Sequence, residues 1–418
     1  MLDIKLIREK TEDVRRGLLK RMPADKIKLK EIIEIDEKRK VIISEMETLK
    51  NERNQNSKAK PSPEVIESMK SLGLKIKDLE EKLNTTETDL NDLLSELPNI
   101  PSEDVVAGDK ENNEVVYTFG SKPDFNFKPK DHVELATSLG VIDYQRAVKM
   151  SGSGFWCYTG VGALLEWALL SYFKDFHIKN SYTFLIPPFL LSEESAYTSG
   201  HLPKFRDDLF WTQDKLCLNA TAEMMLGNYH RDEIIDVENP VKYFAYAPSF
   251  RREAGSYRQE ERGMIRGHQF NKIEMFIFCK PELSWQMFDE LTENAKKLVE
   301  GLGLHFQVSK LAAGDCSAAM AKTFDIETWI PSMNIYKEVS SISNALDYQA
   351  RRGRTKYKNS QTKKNDFVHT LNASGLATSR LIPAILEQFQ QEDGSVIIPE
   401  VLRQYMPGNM SVIKKINK

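Results

Sequence analysis

The residues best suited to chemistry lie in three segments of the C-terminal half, where charged side chains interrupt apolar sequence. The first segment, Phe250 to Phe276, has two strand-like ends around a polar middle that is predicted to be a long loop, residues 254–264. Strand alternation predicts Arg251 and Glu253 on one face of the incoming strand. The same period places a larger set on one face of the returning strand: His268, Phe270, Lys272 and Glu274. Since such a face cannot be a hydrophobic core, it is predicted to be solvated or to contact an ATP-like or amino-acid ligand.

The second segment, residues 334–352, combines a carboxylate with hydroxyl groups on a predicted strand. Alternation predicts that Glu338 and Ser340 share one face of this strand, with Ser341 on the other face or on a bulge.

The third segment, residues 369–390, has small residues that allow close approach of the backbone, followed by an apolar-periodic helix. Arg380 stands at the start of that helix, where a cation is electrostatically disfavoured. The side chain of Arg380 is therefore predicted either to contact a phosphate or simply to be exposed to solvent. Pro383 is predicted to fall in the first turn, where proline is tolerated.

The sequence contains no P-loop, no glycine-rich dinucleotide motif, no Ser-His-Asp arrangement and no H-E-x-x-H motif. Any nucleotide chemistry must therefore use another platform. The four cysteines are scattered without a C-x-x-C pair, which predicts neither disulfides nor zinc. The chain of 418 residues is long enough for two or three domains, and its net charge of −3 neither requires nor excludes a nucleic-acid partner.

The N-terminal residues alternate charged and apolar positions, and the chain lacks an uninterrupted apolar run of about 18 residues. This pattern predicts a soluble, cytoplasmic protein with no membrane partner. Residues 1–22 are predicted to form one short amphipathic helix that ends before Pro23.

Two apolar repeats with spacings of three and four residues follow, at residues 32–53 and 65–97, separated by Pro61 and Pro63. They predict an antiparallel helical hairpin with arms of about 45 Å. The hairpin is either a dimerising coiled coil or an arm that grips a phosphate backbone through basic residues near its tip. Those basic residues are Lys50, Arg53, Lys58 and Lys60.

Residues 98–127 are polar and rich in proline, and they are predicted to be a linker and domain entry. Strand-like segments such as 182–191, 242–250 and 274–278 then follow one another without strict βαβ alternation. This order predicts a mixed α+β domain with an antiparallel sheet.

These features together resemble the bacterial-type seryl-tRNA synthetases, which are class II aminoacyl-tRNA synthetases, over nearly the whole chain. The resemblance implies a helical tRNA-binding arm at residues 1–104 and a class II catalytic domain at residues 105–418. It rests on an ordered set of motifs: MLDIKLIRE at the start, TSGHLPKF, TAE at 221–223, FRREAG at 250–255, RGMIRGHQFNKIE at 262–274, EVSSISNALDYQARR at 338–352, FVHTLN at 367–372 and IPEVLRQYM at 398–406.

The resemblance also implies the roles of individual residues. Glu274 suits a substrate ammonium group, and the implied L-serine site consists of Thr221, Ala222, Glu223, Glu274, Asn372 and Ser374. The implied ATP site consists of Arg251, Arg252, Glu253, Arg266, Phe270, Glu338, Val339, Ser340, Ser341 and Arg380.

Within that ATP site, Arg251 is implied to grip the α-phosphate and Phe270 to stack on adenine. Arg251, Glu253 and Arg380 are the implied catalytic residues, and Glu338 is implied to hold Mg²⁺ through ATP. The four basic residues near the arm tip are the implied tRNA contacts, and residues 162–188 resemble a dimer-interface helix and strand.

The implied activity is a serine–tRNA ligase: a homodimer activates L-serine with ATP and Mg²⁺ and transfers it to the 3′ end of tRNA(Ser). Whether a selenocysteine tRNA is also served stays open. A relative that loads an amino acid onto another acceptor is a second hypothesis, which the arm argues against. A catalytically silent RNA-binding paralogue is a third, which the retained charged residues argue against.

Three single positions and the loop at 256–261 depart from the family pattern, the loop because it reads SYRQEE where the family often has a Gly-Arg-Asp sequence. Ala220 replaces a common proline, Pro383 replaces an aliphatic residue, and Ala373 replaces a glycine. The methyl group of Ala373 is predicted to lie near the pocket.

Overall fold

The computed structural model describes residues 1–57, 62–253 and 263–415, which form two compact units, Met1–Ile100 and Pro101–Lys418. The polar loop predicted at 254–264 falls mostly outside the described residues. Among the helices of the described residues, none is long and apolar enough to cross a membrane.

All the regular secondary structure that is described in the first unit is helical. Its helices are α1 (Ile4–Glu9), α2 (Thr11–Leu18), α3 (Leu29–Asn56) and α4 (Pro63–Glu96). The prediction of one continuous helix over residues 1–22 is wrong, because Lys10 takes a φ of −133° that ends α1. The hydroxyl group of Thr11 donates to the carbonyl of Ile7 at 2.7 Å and thereby closes this turn.

Helices α3 and α4 form the predicted antiparallel hairpin. Proline stands at the first position of α4, where its missing N–H group costs nothing. At about 1.5 Å per residue the helices extend about 42 and 51 Å. Three ion pairs join them in antiparallel order: Lys28 with Glu96 at 3.4 Å, Arg39 with Glu87 at 3.1 Å, and Lys50 with Glu80 at 2.9 Å.

The second unit is built on one large sheet. The strands of this unit are β1 (Glu114–Phe119), β2 (Ile142–Asp143), β3 (Cys157–Tyr158), β4 (Thr183–Leu185), β5 (Leu190–Ser192), β6 (Leu216–Leu218), β7 (Val241–Phe250), β8 (Gln269–Cys279), β9 (Phe306–Lys310), β10 (Lys322–Ile330), β11 (Ile335–Leu346), β12 (Lys356–Lys358), β13 (Asn365–Phe367), β14 (His369–Ala377), β15 (Val396–Ile397) and β16 (Val412–Ile413). The large sheet has eight of these strands in the order β1-β9-β10-β11-β14-β8-β7-β4. Every neighbouring pair in it is antiparallel except β4 and β7.

Its helices are α5 (His132–Ser138), α6 (Tyr144–Ser151), α7 (Val161–Lys179), α8 (Glu193–Thr198), α9 (Glu223–Leu226), α10 (Ser284–Leu302), α11 (Tyr348–Gly353), α12 (Thr378–Gln388) and α13 (Glu400–Arg403). Helices α5, α7, α10 and α12 cover one face of the sheet and enclose the larger hydrophobic core. The other face meets α8, α9, α11 and the small sheet of β5 and β6 over a second core. The α+β fold with an antiparallel sheet is confirmed.

Three sequence predictions need correction here. The polar stretch 98–127 contains β1, an edge strand of the main sheet, rather than only a linker. The segment 182–191 is split into β4 and β5, because Pro187 and Pro188 lack the N–H groups that would continue the ladder. Pro383 lies at the sixth position of α12, in its interior, so the carbonyl of Ser379 has no i+4 N–H partner.

Candidate active site

A cavity of about 420 Å³ opens on the face of the sheet that carries the second core. Strands β8, β11 and β14 supply its floor, and the chain from residue 199 to 223 supplies one wall. Most of the lining residues are polar or charged, and they include His201, Asp208, Thr221, Glu223, Arg251, Glu253, Arg266, Lys272, Glu338, Ser341, Ser343, Asn372 and Ser374.

Glu274 lies on β8 next to the lining residues Lys272 and Asn372, and its side chain is fully buried. Its Oε2 atom lies 2.6 Å from Nζ of Lys272, and its Oε1 atom accepts a hydrogen bond of 3.0 Å from Nδ2 of Asn372. The Lys272 ammonium also donates to the hydroxyl of Thr221 at 3.1 Å. The predicted placement of Lys272 and Glu274 on one face of β8 is thus observed, and sequence reasoning gave Lys272 no role.

A second buried carboxylate, Glu223 at the start of α9, adjoins Glu274. The amide of Asn372 also donates to Oε2 of Glu223 at 3.3 Å, so one amide group bridges both carboxylates. Nε2 of Gln349 donates to the other oxygen of Glu223 at 2.7 Å. Sequence reasoning missed Gln349, although its position three residues before Arg352 in a matched motif was the available signal.

Electrostatics set Glu223 apart from an ordinary surface acid. Burial and the adjacent charge of Glu274 raise the pKa of Glu223 to about 7. The ammonium of Lys272, the hydrogen bond from Gln349 and the charge of Arg251 lower the pKa, but they do not outweigh burial. Two neighbouring carboxylates with one ammonium form a place where a second ammonium is electrostatically favoured.

The remaining predicted serine-site residues lie beside these carboxylates. Thr221 and Ser374 line the cavity, and Ala222 is fully buried at the cap of α9. Asn372 and Ser374 alternate with Ala373, which is buried in the larger core on the opposite face of β14. The methyl group of Ala373 therefore does not face the cavity, contrary to the prediction.

Arg251 and Glu253 lie past the end of β7, which stops at Phe250. The prediction that both lie on a strand face is wrong, because Glu253 takes a φ of +51°, in the left-handed region that a strand does not use. The Arg251 guanidinium lies 5.1 Å from the ring centre of Phe270, and its Nε donates to the carbonyl of Ala220 at 3.2 Å. Burial lowers the pKa of Arg251. The negative charges of Glu253 and Glu338 act in the opposite direction but do not outweigh burial.

The left-handed turn at Glu253 carries its carboxylate to Arg266, with which it forms a partly buried ion pair. Both residues line the cavity. Arg252 points elsewhere: its side chain is exposed, and its guanidinium lies 5.9 Å from the ring centre of Phe210.

Arg380 stands in the first turn of α12, as predicted, and reaches β11. Its Nη1 donates to the carbonyl of Glu338 at 2.7 Å and lies 3.3 Å from the Glu338 carboxylate. Its Nε donates to the carbonyl of Ile265. Partial burial alone would raise the pKa of Glu338, but the charges of Arg380, Arg251 and Lys272 outweigh it and hold that pKa below the usual value.

A bulge in β11 decides which hydroxyl group faces the cavity. Glu338 is paired with Glu327 and Ser340 with Ile326, so Val339 is an extra residue that breaks the alternation. The cavity is therefore lined by Glu338 and Ser341, and the prediction that Ser340 shares the face of Glu338 is wrong. Ser340 is buried and donates to the carbonyl of Ser374 at 2.6 Å, while Val339 packs in the larger core.

His201 is a further lining residue, which the TSGHLPKF motif contains but to which the sequence assigned no role. Its Nδ1 lies 3.0 Å from the hydroxyl of Ser199. Burial, with the charges of Arg251 and Lys272, lowers the pKa of His201 to about 3. The imidazole is therefore neutral at physiological pH and presents a hydrogen-bonding group without adding charge.

Two of the four basic residues predicted near the arm tip, Lys50 and Arg53, lie among the residues that the structure describes. Lys50 forms the exposed ion pair with Glu80, and Arg53 lies in the last turn of α3. Lys58 and Lys60 lie outside the described residues.

Comparison with known proteins decides the family. Residues 205–389 match the model of the tRNA synthetase class II core domain (G, H, P, S and T), and residues 1–101 match the seryl-tRNA synthetase N-terminal domain. The chain is 53% identical to serine–tRNA ligase 2 of Clostridium acetobutylicum over 97% of this chain and 99% of the relative. The chain belongs to the serine–tRNA ligase family.

A second relative and a solved structure support the same family assignment. A serine–tRNA ligase of Geobacter sulfurreducens is 42% identical over 98% of this chain and 99% of the relative. The crystal structure of seryl-tRNA synthetase from Pyrococcus horikoshii complexed with ATP superposes with a TM-score of 0.92 at 33% identity and covers 100% of both chains. The predicted family, class II fold and ATP-dependent aminoacyl-tRNA ligase activity are confirmed.

Proposed function

We propose that this member of the serine–tRNA ligase family joins L-serine to ATP to form seryl-adenylate and then transfers the seryl group to the 3′ end of tRNA(Ser). One observation supports the proposal above others: a single cavity is lined by the buried carboxylate of Glu223 and by the guanidinium groups of Arg251 and Arg266. Glu274 and Arg380 contact the lining residues Asn372 and Glu338. An amino acid carries an ammonium and a carboxylate, and ATP carries a chain of phosphates. The cavity therefore offers each charged group of both substrates a partner of opposite sign.

We assign the ammonium of serine to Glu274, assisted by Glu223. The hydroxyl groups of Thr221 and Ser374 and the amide of Asn372 lie beside these carboxylates and would recognise the serine hydroxyl. A site built from such hydrogen-bonding groups rejects alanine, because the missing hydroxyl would leave buried polar groups without partners.

We assign the α-phosphate to Arg251, with Arg380 and Arg266 contacting further phosphate oxygens and Glu253 orienting Arg266 through their ion pair. Adenine would stack on Phe270, which already lies beneath the Arg251 guanidinium. The side chains of Arg252, Val339 and Ser340 are turned to solvent, to the larger core and to the carbonyl of Ser374, respectively, so we expect any contact of these residues with ATP to be made by main-chain atoms.

The chemistry needs no covalent intermediate on the protein. The serine carboxylate attacks the α-phosphorus, the bond to the β-phosphate oxygen breaks, and pyrophosphate leaves. The 3′ hydroxyl of the tRNA terminus then attacks the seryl carbonyl and AMP leaves. Arg251 and Arg380 supply charge neutralisation and orientation, which are the main sources of rate in phosphoryl and nucleotidyl transfer.

Glu338 and Ser341 fit a magnesium ion that enters with ATP. Both line the phosphate end of the cavity, and the lowered pKa of Glu338 keeps its carboxylate ionised and able to bind a cation. Bound there, Mg²⁺ would neutralise phosphate charge.

We assign tRNA binding to the helical arm of residues 1–104, with Lys50, Arg53, Lys58 and Lys60 near its tip. Relatives named serine–tRNA ligase align over the arm and the core together, which disfavours the alternatives of another acceptor or a silent RNA-binding paralogue. A structural neighbour of 16% identity, the M. kandleri enzyme in complex with A. aeolicus tRNASec, supports only the fold at that identity. Charging of tRNA(Sec) in addition to tRNA(Ser) is tested by adding each tRNA separately to the transfer reaction.

We further propose a homodimer formed through α7 and the segment that follows it. Large apolar side chains are exposed there, among them Trp167 at 60% and Ile186 at 73%. Neighbouring exposed apolar residues of this kind are typical of protein interfaces. Trp167→Glu should convert the dimer to a monomer in analytical ultracentrifugation, and a wild-type chain that sediments as a monomer would refute the assignment.

Serine-dependent exchange of pyrophosphate into ATP, followed by transfer to tRNA, tests the main proposal. We expect exchange with serine and not with alanine, without any tRNA. Replacing residues 30–97 by a short flexible linker should retain exchange and abolish serine transfer to tRNA(Ser). A truncated chain that charges tRNA normally would show that the arm is a structural coiled coil; a full chain without serine-dependent exchange would refute the adenylation proposal.

A further inference from the structure

Glu166 is a buried carboxylate of α7 that lies outside the cavity lining. Its side chain lies on the opposite side of the sheet from the cavity, and only 3% of the residue is exposed. Burying a carboxylate is costly unless it is fully hydrogen-bonded, and an apolar residue would fill the same space at a lower cost. The contacts of Glu166 therefore need an explanation.

Two donors share one oxygen of this carboxylate. Nδ2 of Asn271 donates to Oε1 of Glu166 at 2.8 Å, and the hydroxyl of Thr378 donates to the same oxygen at 2.7 Å. The Thr378 hydroxyl also lies 3.1 Å from the carbonyl of Asn271. Burial raises the pKa of Glu166 to about 7, against the hydrogen bonds from Thr378, Asn271 and Tyr158, which lower it.

These contacts lie where the sheet loses its regular pairing. Ser374 pairs with Glu274 and Ala377 pairs with Lys272, so β14 has one residue more than β8 between these two pairs. Leu376, inside this bulge, has a φ of +92°. The chain then leaves the sheet at Thr378, the first residue of α12. Glu166 fixes this departure point to β8 through side-chain hydrogen bonds just beyond the last ladder pair.

Both anchored residues are next to proposed nucleotide contacts. Asn271 stands between Phe270 and Lys272 on β8, and Thr378 is two residues before Arg380 on α12. We propose that Glu166 is a positioning residue that holds the adenine-stacking strand and the phosphate-binding helix in their productive relation. This inference rests on the proposed function, because it requires Phe270 and Arg380 to contact ATP.

The inference predicts a selective effect on one substrate. Removing the Glu166 acceptor releases Phe270 and Arg380 together, while the carboxylates of the proposed serine site are held by separate contacts from Lys272, Asn372 and Gln349. If Glu166 only stabilised the core, its substitution would lower the Tm and would not change KM for ATP more than KM for serine.

Two variants separate these roles in serine-dependent pyrophosphate exchange. Glu166→Gln retains an oxygen that can accept both hydrogen bonds, and we expect its KM values to stay within about threefold of wild type. Glu166→Leu retains the bulk and loses the acceptor, and we expect KM for ATP to rise by about tenfold or more while KM for serine changes by less than about threefold.

Glu387 offers a matched control, since it is a fully buried carboxylate on α12, the helix to which Glu166 is hydrogen-bonded through Thr378. Its carboxylate accepts hydrogen bonds from the N–H groups of His132 and Ser332, away from the cavity. Glu387→Leu should lower the Tm without a selective rise in KM for ATP. An equal rise in both leucine variants at similar Tm would overturn the positioning role.

If Glu166→Leu does not fold, Thr378→Val removes one donor with little change of shape and should raise KM for ATP in the same selective manner. Unchanged KM for ATP in a folded Glu166→Leu or Thr378→Val variant refutes the inference alone. Absence of serine-dependent exchange in the wild-type chain refutes instead the function on which it rests.

Discussion

Nζ of Lys272 lies 2.6 Å from Oε2 of Glu274, so the carboxylate proposed for the substrate ammonium already holds an ammonium of the protein itself. Serine must share or displace this contact. The adjacent Glu223 carboxylate and the Thr221 hydroxyl give the Lys272 ammonium other oxygens to contact within the same cavity.

The first prediction concerns Glu274. Glu274→Gln retains the shape and removes the charge that pairs with ammonium, which should cost about 3 kcal/mol in transition-state binding, or about 100-fold in kcat/KM for serine. Pyrophosphate exchange at varied serine measures the effect, and the Tm shows whether folding is intact. Exchange within a few-fold of wild type would remove Glu274 from the ammonium site.

Arginine geometry gives the second prediction. Arg251→Lys and Arg380→Lys retain a charge but lose the planar fork that binds phosphate oxygens in pairs. We expect a large loss of adenylation for Arg251→Lys and a smaller loss for Arg380→Lys. Arg354→Lys, at an exposed ion pair with Asp232, is the matched control and should be nearly silent. Normal exchange in both site variants would contradict the phosphate roles.

The third prediction follows from the pKa of about 7 that burial gives Glu223. Only the ionised carboxylate attracts the serine ammonium, and ionisation increases as the pH rises through 7. KM for serine should therefore fall by about tenfold between pH 6 and pH 8. Glu223→Gln should bind serine weakly and show a flat profile over this range. A wild-type KM that does not change with pH would show that Glu223 does not titrate against the substrate.

Gly375 gives the fourth prediction. A Cβ atom at this position would lie 2.5 Å from Nε2 of the buried His177 on α7. Gly375→Ala should destabilise the protein by about 1–3 kcal/mol, and trimming the neighbour with His177→Ala should recover part of that loss in a double-mutant cycle. Gly73→Ala is the control, because nothing lies within 4 Å of that site in α4. Additive Tm losses at positions 375 and 177 would exclude the clash.

The sequence correctly predicted those structural features that depend on the spacing of residues close together in the chain. The helical hairpin follows from apolar spacing and two prolines, and the shared face of Lys272 and Glu274 follows from strand alternation. Predictions from strand alternation were wrong where the backbone departs from regular strand geometry. The bulge at Val339 places Ser341 instead of Ser340 at the cavity, and the left-handed φ of Glu253 has no signal in its residue type.

Long-range contacts were also beyond reach of the sequence. The bridge from Asn372 to Glu223 and Glu274 joins residues 149 and 98 positions apart, and the anchor from Glu166 to Thr378 spans 212 positions. Motif resemblance named several of these residues without showing which of them touch. Glu166 was missed because a buried acid has no local signature, whereas Gln349 was missed although it stands within a matched motif.

The ion pairs of the hairpin constrain how its length can change in evolution. The Lys50–Glu80 and Arg39–Glu87 pairs depend on the length of helix between them, which is 11 residues on α3 and seven on α4. An insertion in α3 alone would shift every later pair out of register. Lineages can therefore lengthen or shorten this arm only by matched insertions or deletions in both helices, in steps close to the seven-residue repeat of the seam.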